Sequence, residues 1–273
     1  MGSGGSVASR IGAPPHARIT AVELSISPSV VLLDVGDTMA KAHPSWLDVY
    51  STVFDAHGIR TEQSAFEQAF RAAWAEWAHE GPFEATEEAS FRRLTELDQL
   101  VFDRLGYPDL PEAFFRDIDL AFRQRSAFFV FPDVIPALDA MQSAGLRLAV
   151  VSNWGWHAPE LLQTLELARH FEVMSISARV GYQKPHAAIF EHALELLDVG
   201  PEEAIHVGDD PGADVVGARG VGIEPVLIDR KGRIDTPVGA GAETGAVPVI
   251  HDFGGLLDLL GIERPVTLAE TGT

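Results

Sequence analysis

The sequence predicts an α/β fold: a Rossmann-like parallel sheet with helices on both faces, interrupted after its first strand by an inserted α-helical cap domain. Three observations predict it. Val30 to Leu33 is a compact apolar run ending on Asp34, the pattern of a strand buried on both faces of a parallel sheet. From Ala42 to Val130 the apolar spacing turns helical and no strong strand stands out. Beyond Pro132 strand and helix patterns alternate, which implies right-handed crossovers and helices on both faces of the sheet.

Each element follows from local spacing. Phe66, Phe70, Ala73, Trp74 and Trp77 recur at three- and four-residue intervals, one face of a helix. Pro108 and Pro111 punctuate the segment, and Phe114, Ile118 and Phe122 define a further helical face. A helix over 134–143 then leads through Gly145 to a strand over 147–152. A helix over 159–167, a strand over 172–177 and a helix over 185–197 follow. The order closes with a strand over 204–207, a short helix over 213–219, strands over 225–228 and 247–250, and a helix over 253–260. The expected division is a leader over 1–20, a core domain over 21–41 and 131–263, a cap domain over 42–130, and a tail over 264–273. Residues 236–246 are glycine-rich and polar and read as a surface loop.

Composition narrows the function. The 273 residues carry 20 basic and 40 acidic side chains, a net charge of −20, which repels nucleic-acid phosphates. No apolar run is long enough for a membrane span, and no charged segment followed by an apolar stretch marks a secretory signal. The expected location is the cytoplasm. Met1 to Ser6 fits a myristoylation pattern but reads as a flexible leader. With no cysteine there is no disulfide, thiolate site or cysteine nucleophile. Gly217, Gly220 and Gly222 follow a helix rather than a strand, which excludes a dinucleotide fingerprint.

Chemistry collects at the strand ends. The first strand ends in Asp34-Val-Gly-Asp-Thr38, and the strand from Arg147 ends in Ser152-Asn153. Lys184, one of only three lysines, precedes Pro185 at a helix start, and the strand from Ala204 ends in Gly208-Asp209-Asp210, with Asp214 close behind. Singly, each aspartate could be a helix cap or turn former, Lys184 a surface charge and Ser152-Asn153 a turn. Parallel strands, however, bring such ends to one edge, where ligands bind. Asp34, Asp209 and Asp214 brought together would repel one another without a cation, which points to a metal.

As an ordered set, Asp34 to Thr38, Ser152-Asn153, Lys184-Pro185 and Gly208-Asp209 with Asp214 resemble the four motifs of the haloacid dehalogenase-like hydrolase superfamily. The resemblance spans about Val30 to Ile228, and the helical insertion is similar to that superfamily's cap. It implies a phosphatase in which Asp34 attacks phosphorus and forms an aspartyl-phosphate. It implies Mg2+ held by Asp34, the carbonyl of Gly36 and Asp209, with Asp214 binding through water or orienting the shell. Lys184 would neutralise Asp34 and the phosphoryl group. Thr38, Ser152 and Asn153 would hold phosphoryl oxygens. The implied substrate is a small phosphorylated metabolite, and the chain a monomer or homodimer.

One departure stands out. Family phosphatases carry an acid/base aspartate two residues after the nucleophile, where this chain has Gly36 and, one place later, Asp37. Loss of such a group costs roughly 10²–10⁴ in rate. Asp37 either substitutes for it or makes a turn contact. Haloacid dehalogenases and phosphonate hydrolases also lack that aspartate. The former do not hold an acid like Asp209, and the latter need a cap lysine, for which Lys41 is the candidate. A catalytically weak phospho-ligand-binding protein is the remaining alternative. Trp154, Trp156 and His157 stand near the site as packing or entrance residues. His186 reads as structural, Lys41 and His43 as a hinge, and Arg92, Arg93, Arg123 and Arg125 as surface ion-pairing groups or contacts to a substrate tail.

Overall fold

The computed structural model of the chain describes residues 23–77, 81–232 and 247–265. The expected leader, most of the tail and the 236–246 loop lie outside the described residues. The chain runs β1 (Val30–Leu33), β2 (Ala40–Ala42), then helices α1 (Trp46–His57), α2 (Gln63–Trp77), α3 (Glu87–Arg104) and α4 (Glu112–Phe122). It returns through β3 (Phe128–Val130) to α5 (Val134–Ser143), β4 (Arg147–Ser152), α6 (Ala158–Thr164), β5 (Val173–Ile176), α7 (Ser177–Val180) and α8 (Ala187–Leu197). The last elements are β6 (Ala204–Gly208), α9 (Gly217–Gly220), β7 (Glu224–Ile228), β8 (Val249–Ile250) and α10 (Phe253–Leu259).

Six strands form a parallel sheet in the order β5-β4-β1-β6-β7-β8. β1 pairs with β4 on one side (Leu33 opposite Val150) and with β6 on the other (Leu33 opposite Val207). Alternation along β1 assigns its side chains to two cores. Val31 and Leu33 join the face packed by α5, α6 and α10, while Val30 and Leu32 join the face packed by α8 and α9. All four are fully buried, as the uninterrupted apolar run requires. The chain winds outward from β1 through β4 to β5, then crosses back to β6. The winding therefore reverses at β1, and the crevice at its carboxyl end is where a ligand site belongs.

Helices α1–α4 build a separate apolar cluster around Tyr50, Phe54, Phe66, Phe102 and Phe114, with Phe102 and Phe114 edge to face at 4.8 Å. Ser45 caps α1 by accepting from the Asp48 amide, and Gly58 ends it in the left-handed region at φ 69°. The chain enters and leaves this segment through β2 and β3, an antiparallel pair with Lys41 opposite Phe129. β3 corrects the expectation that no strong strand stands out between Ala42 and Val130. A three-residue strand inside the apolar run 127–131 is too short for its periodicity to separate it from helix.

A second difference follows β6. The predicted helix over 213–219 is a π-helical turn, Pro211–Val216, running into the short α9. Asp210, rather than Asp209 or Asp214, caps it by accepting from the Gly212 and Ala213 amides. The other two carboxylates are thereby left for the site.

Candidate active site

β1, β4 and β6 deliver Asp34, Ser152 and Asp209 to one edge of the sheet, and the α7–α8 and β6–α9 connections deliver Lys184 and Asp214. Lys184 is buried, and its Nζ donates to Asp34 Oδ1 and Asp214 Oδ1 at 2.6 Å each. Ser152 Oγ donates to the same Asp34 Oδ1 at 2.9 Å. Both donors therefore meet on one oxygen of Asp34, and Oδ2 has no protein donor among the described residues. His206, in the interior of β6, reaches Asp214 Oδ1 through Nε2 at 2.8 Å. The amide of Asp210 donates to Asp214 Oδ2 at 3.0 Å. Gly208 makes this approach possible, because a Cβ there would lie 2.1 Å from Asp214 Cγ.

The carboxylates of Asp34, Asp209 and Asp214 offer oxygens that all lie within 4.8 Å of one another. Three carboxylates facing one ammonium leave two excess negative charges in a buried setting. The electrostatics record that imbalance. Burial, then the charges of Asp34 and Asp214, push Asp209 up to about 8. Burial also raises Asp34, with Lys184 opposing it and Asp214 adding to it. Burial works against the charges of Lys184 and Asp214, yet their mutual attraction outweighs it. Lys184 is raised and Asp214 lowered, the latter helped by His206.

Asp209 accepts no hydrogen bond among the described residues, so its anionic form lacks a hydrogen-bonding partner. An all-oxygen donor set with two unbalanced negative charges fits a hard divalent cation such as Mg2+.

Asp34, Gly36, Asp37, Ser152, Asn153, Lys184, Asp209 and Asp214 line a single cavity of about 1250 Å³, so eight of the nine predicted site residues come together. Thr38 does not line it. It is fully buried, its hydroxyl has no partner among the described residues, and its carbonyl accepts from Arg230 Nε. A grip on phosphoryl oxygens by Thr38 has no geometric support.

Asn153 serves a different purpose from the expected one. Its Oδ1 accepts from the Lys184 amide and its Nδ2 donates to the Lys184 carbonyl, a reciprocal brace on the segment carrying the lysine. Asp37 adopts φ 49°, its amide donates to Ala40 O, and its Oδ2 lies 3.6 Å from Lys231 Nζ. These contacts are those of a turn residue, the second of the two readings open for it. Lys41 lies outside the cavity wall, its Nζ over the rings of Phe129 and Phe131, which removes the basis for an imine-forming lysine.

The outlying residues sort similarly. His186 accepts from the Ala188 amide as the cap of α8. Arg92 pairs with Glu84, Arg125 bonds Phe128 O, and Arg93 lies over the rings of Trp77 and Phe83. Arg123 pairs with Asp119, and both line the cavity. Trp154, Trp156 and His157 also line it, joined by Trp46, Phe70 and Trp74 from α1 and α2. His206 and the three rings Trp46, Phe70 and Trp74 are among the residues of the site that the sequence alone does not mark.

The model of the haloacid dehalogenase-like hydrolases matches residues 28–222. Over 235 residues the chain is 31% identical to human haloacid dehalogenase-like hydrolase domain-containing protein 3, covering 83% of this chain and 90% of that protein. It is 36% identical over 174 residues to a phosphoserine phosphatase of Thermus thermophilus, covering 61% of this chain and 60% of that one. The crystal structure of a 2-haloacid dehalogenase from Pseudomonas syringae superposes with a TM-score of 0.59 at 21% identity, over 86% of this chain and 98% of that one, a likeness of fold. With the four motifs gathered at the switch point of the sheet, these matches place the chain in the haloacid dehalogenase-like hydrolase family.

Proposed function

We propose that this hydrolase is a magnesium-dependent phosphatase acting on small phosphate monoesters through Asp34, with residues 42–130 serving as the cap over the site. The supporting observation is the pairing of Asp34 with Lys184 at 2.6 Å beside two further carboxylates, Asp209 and Asp214. The likeness to a phosphoserine phosphatase supports the same chemistry.

Asp34 Oδ2, free of protein donors, attacks phosphorus while Lys184 and Ser152 fix the other oxygen. The P–O bond to the leaving alcohol breaks, and its electron pair stays on that oxygen. Water then attacks the aspartyl-phosphate, returning the carboxylate and releasing phosphate. Lys184, held charged by its two carboxylates, offsets the negative charge that accumulates as carboxylate meets phosphate. Asn153 keeps that lysine in register through its backbone. Asp34, Asp209, the Gly36 carbonyl and Asp214 would hold Mg2+, which when bound supplies the charge neutralisation the carboxylates lack. Asp209 favours this reading over a dehalogenase, because an unpaired acid beside Asp34 is a liability for attack on carbon without a cation.

Phosphate release from acetyl phosphate, measured with Mg2+ and with chelator, tests the proposal. Release that needs Mg2+ and vanishes in Asp34→Asn is expected. Release unaffected by that substitution would overturn it.

A further inference from the structure

Beyond the catalytic floor, the cavity has a wall whose chemistry no part of the hydrolytic machinery requires. Trp46 from α1 and Phe70 and Trp74 from α2 line it, with Trp154 and Trp156 rising from the loop after β4. Trp46 stacks on Phe70 at 6.1 Å and 26°, and Phe70 on Trp74 at 6.4 Å and 13°, which makes a continuous row of rings. Trp46 and Trp74 remain 42% and 39% exposed. Large rings left in water along a concave wall mark a place that an apolar ligand covers.

Two further observations decide what kind of ligand. Some polar groups on this wall are bonded to protein groups, while Arg71 and the Thr95 hydroxyl have no partner among the described residues. Tyr50 donates to Asp98 at 2.5 Å, Arg123 pairs with Asp119, and His157 meets Glu87 at 2.8 Å. A cavity of about 1250 Å³ is far larger than a three-carbon phosphate ester needs, which leaves room for a bulky body against the rings. At the floor, position 36 is glycine, so no carboxyl stands there to protonate a departing oxygen. An ester whose oxygen leaves without a proton escapes that deficit. Phenols ionise near pH 10, as the tyrosine side chain does, against about 15.7 for water.

We propose that the physiological substrate class is aryl phosphate monoesters, the aromatic body lying against the Trp46–Phe70–Trp74 row and the weakly basic aryl oxygen leaving unprotonated. The inference rests on the phosphatase reading and specifies its substrate. Asp34 bonds to phosphorus as the P–O(aryl) bond breaks. The electron pair departs on the aryloxide, which takes its proton from solvent, and in the second step the proton of the attacking water passes to the released phosphate. No protein acid is needed in either half.

Steady-state hydrolysis of acetyl phosphate, 1-naphthyl phosphate, glycerol 3-phosphate and glucose 6-phosphate, with Mg2+ present throughout, tests this in the full chain, Trp46→Ala and Trp74→Ala. The proposal expects kcat/KM for naphthyl phosphate to exceed that for both alkyl esters at least a hundredfold. It also expects each tryptophan substitution to lower naphthyl phosphate turnover at least tenfold more than acetyl phosphate turnover, mainly through KM. Both rings are partly exposed, so melting curves should report folded variants. Should one tryptophan variant melt early, the other carries the comparison. Equal preference for alkyl and aryl esters, or equal losses on acetyl and naphthyl phosphate, would overturn the substrate class while leaving the phosphatase standing. No hydrolysis of acetyl phosphate would overturn the phosphatase reading and this inference with it.

Discussion

A Cβ placed on Gly36 would lie 3.5 Å from the Trp154 ring, ordinary contact distance, with no other heavy atom within 4 Å. The backbone there is not in the left-handed region, so the position accepts a side chain without strain. Glycine at 36 is thus not demanded by crowding at that Cβ. Gly36→Asp should therefore fold and add the carboxyl that a poor leaving group needs. We expect kcat on an alkyl ester such as glycerol 3-phosphate to rise at least tenfold, with a smaller gain on acetyl phosphate, since general acid help is worth roughly 10²–10⁴ at most. An unchanged alkyl rate in a folded Gly36→Asp would show that the missing acid does not limit turnover.

Lys184 is the ammonium that pairs with two buried carboxylates, Asp34 and Asp214, beside the half-buried Asp209, and its removal should cost more than a rate. Lys184→Met leaves Asp34 and Asp214 as uncompensated buried charges, an effect on the order of 3–5 kcal/mol. We expect a clear fall in Tm by calorimetry, partly restored by millimolar Mg2+. Asp34→Asn removes a carboxyl that burial already disfavours as an anion, so it should keep or raise Tm while abolishing phosphate release. The two variants thus separate stability from catalysis at one hydrogen bond.

Gly208 makes a sterically defined prediction. A methyl group there would meet Asp214 Cγ at 2.1 Å, so Gly208→Ala must push Asp214 off Lys184 and His206 or unfold the turn. Loss of activity together with loss of the Mg2+-induced rise in Tm is expected. A Gly208→Ala protein with normal metal response would mean that Asp214 does not contribute to the cation site.

The parts of the site that were legible share one property: they are chain-local signals at strand ends. Asp34, Ser152 and Asp209 follow apolar runs directly, and parallel topology alone carries such ends to one edge. What was not legible depends on tertiary placement. His206 sits inside β6, and nothing in its neighbours indicates that its ring would bond Asp214. Phe66 and Trp74 lie on one helical stripe, yet Phe66 is 1% exposed and Trp74 39%, because the helix cluster covers one and the cavity faces the other. Periodicity identifies an apolar face but not what it will face. Asn153 reads as a polar strand-end residue whether it meets substrate or, as here, the backbone of Lys184. The β2–β3 pair escaped detection because three-residue strands are shorter than any period that would mark them.

Asp98 supplies a pH dependence separate from that of the carboxylate cluster. Burial, with a smaller push from Asp119, raises its pKa from 3.8 to about 7 against the opposing hydrogen bond from Tyr50. The folded protein therefore holds a proton that the unfolded chain has released between about pH 4 and 7. Stability contributed by this group must fall as pH rises through that window and level off above it. The total is on the order of a few kcal/mol, because each pKa unit corresponds to about 1.4 kcal/mol. Asp98→Asn keeps an oxygen to accept from Tyr50 and cannot ionise, so it should flatten the decline and raise Tm relative to the parent at pH 8 more than at pH 5. Calorimetry of both proteins at those two values checks the sign. Parallel curves would mean that Asp98 ionises in the folded state as freely as in the unfolded chain.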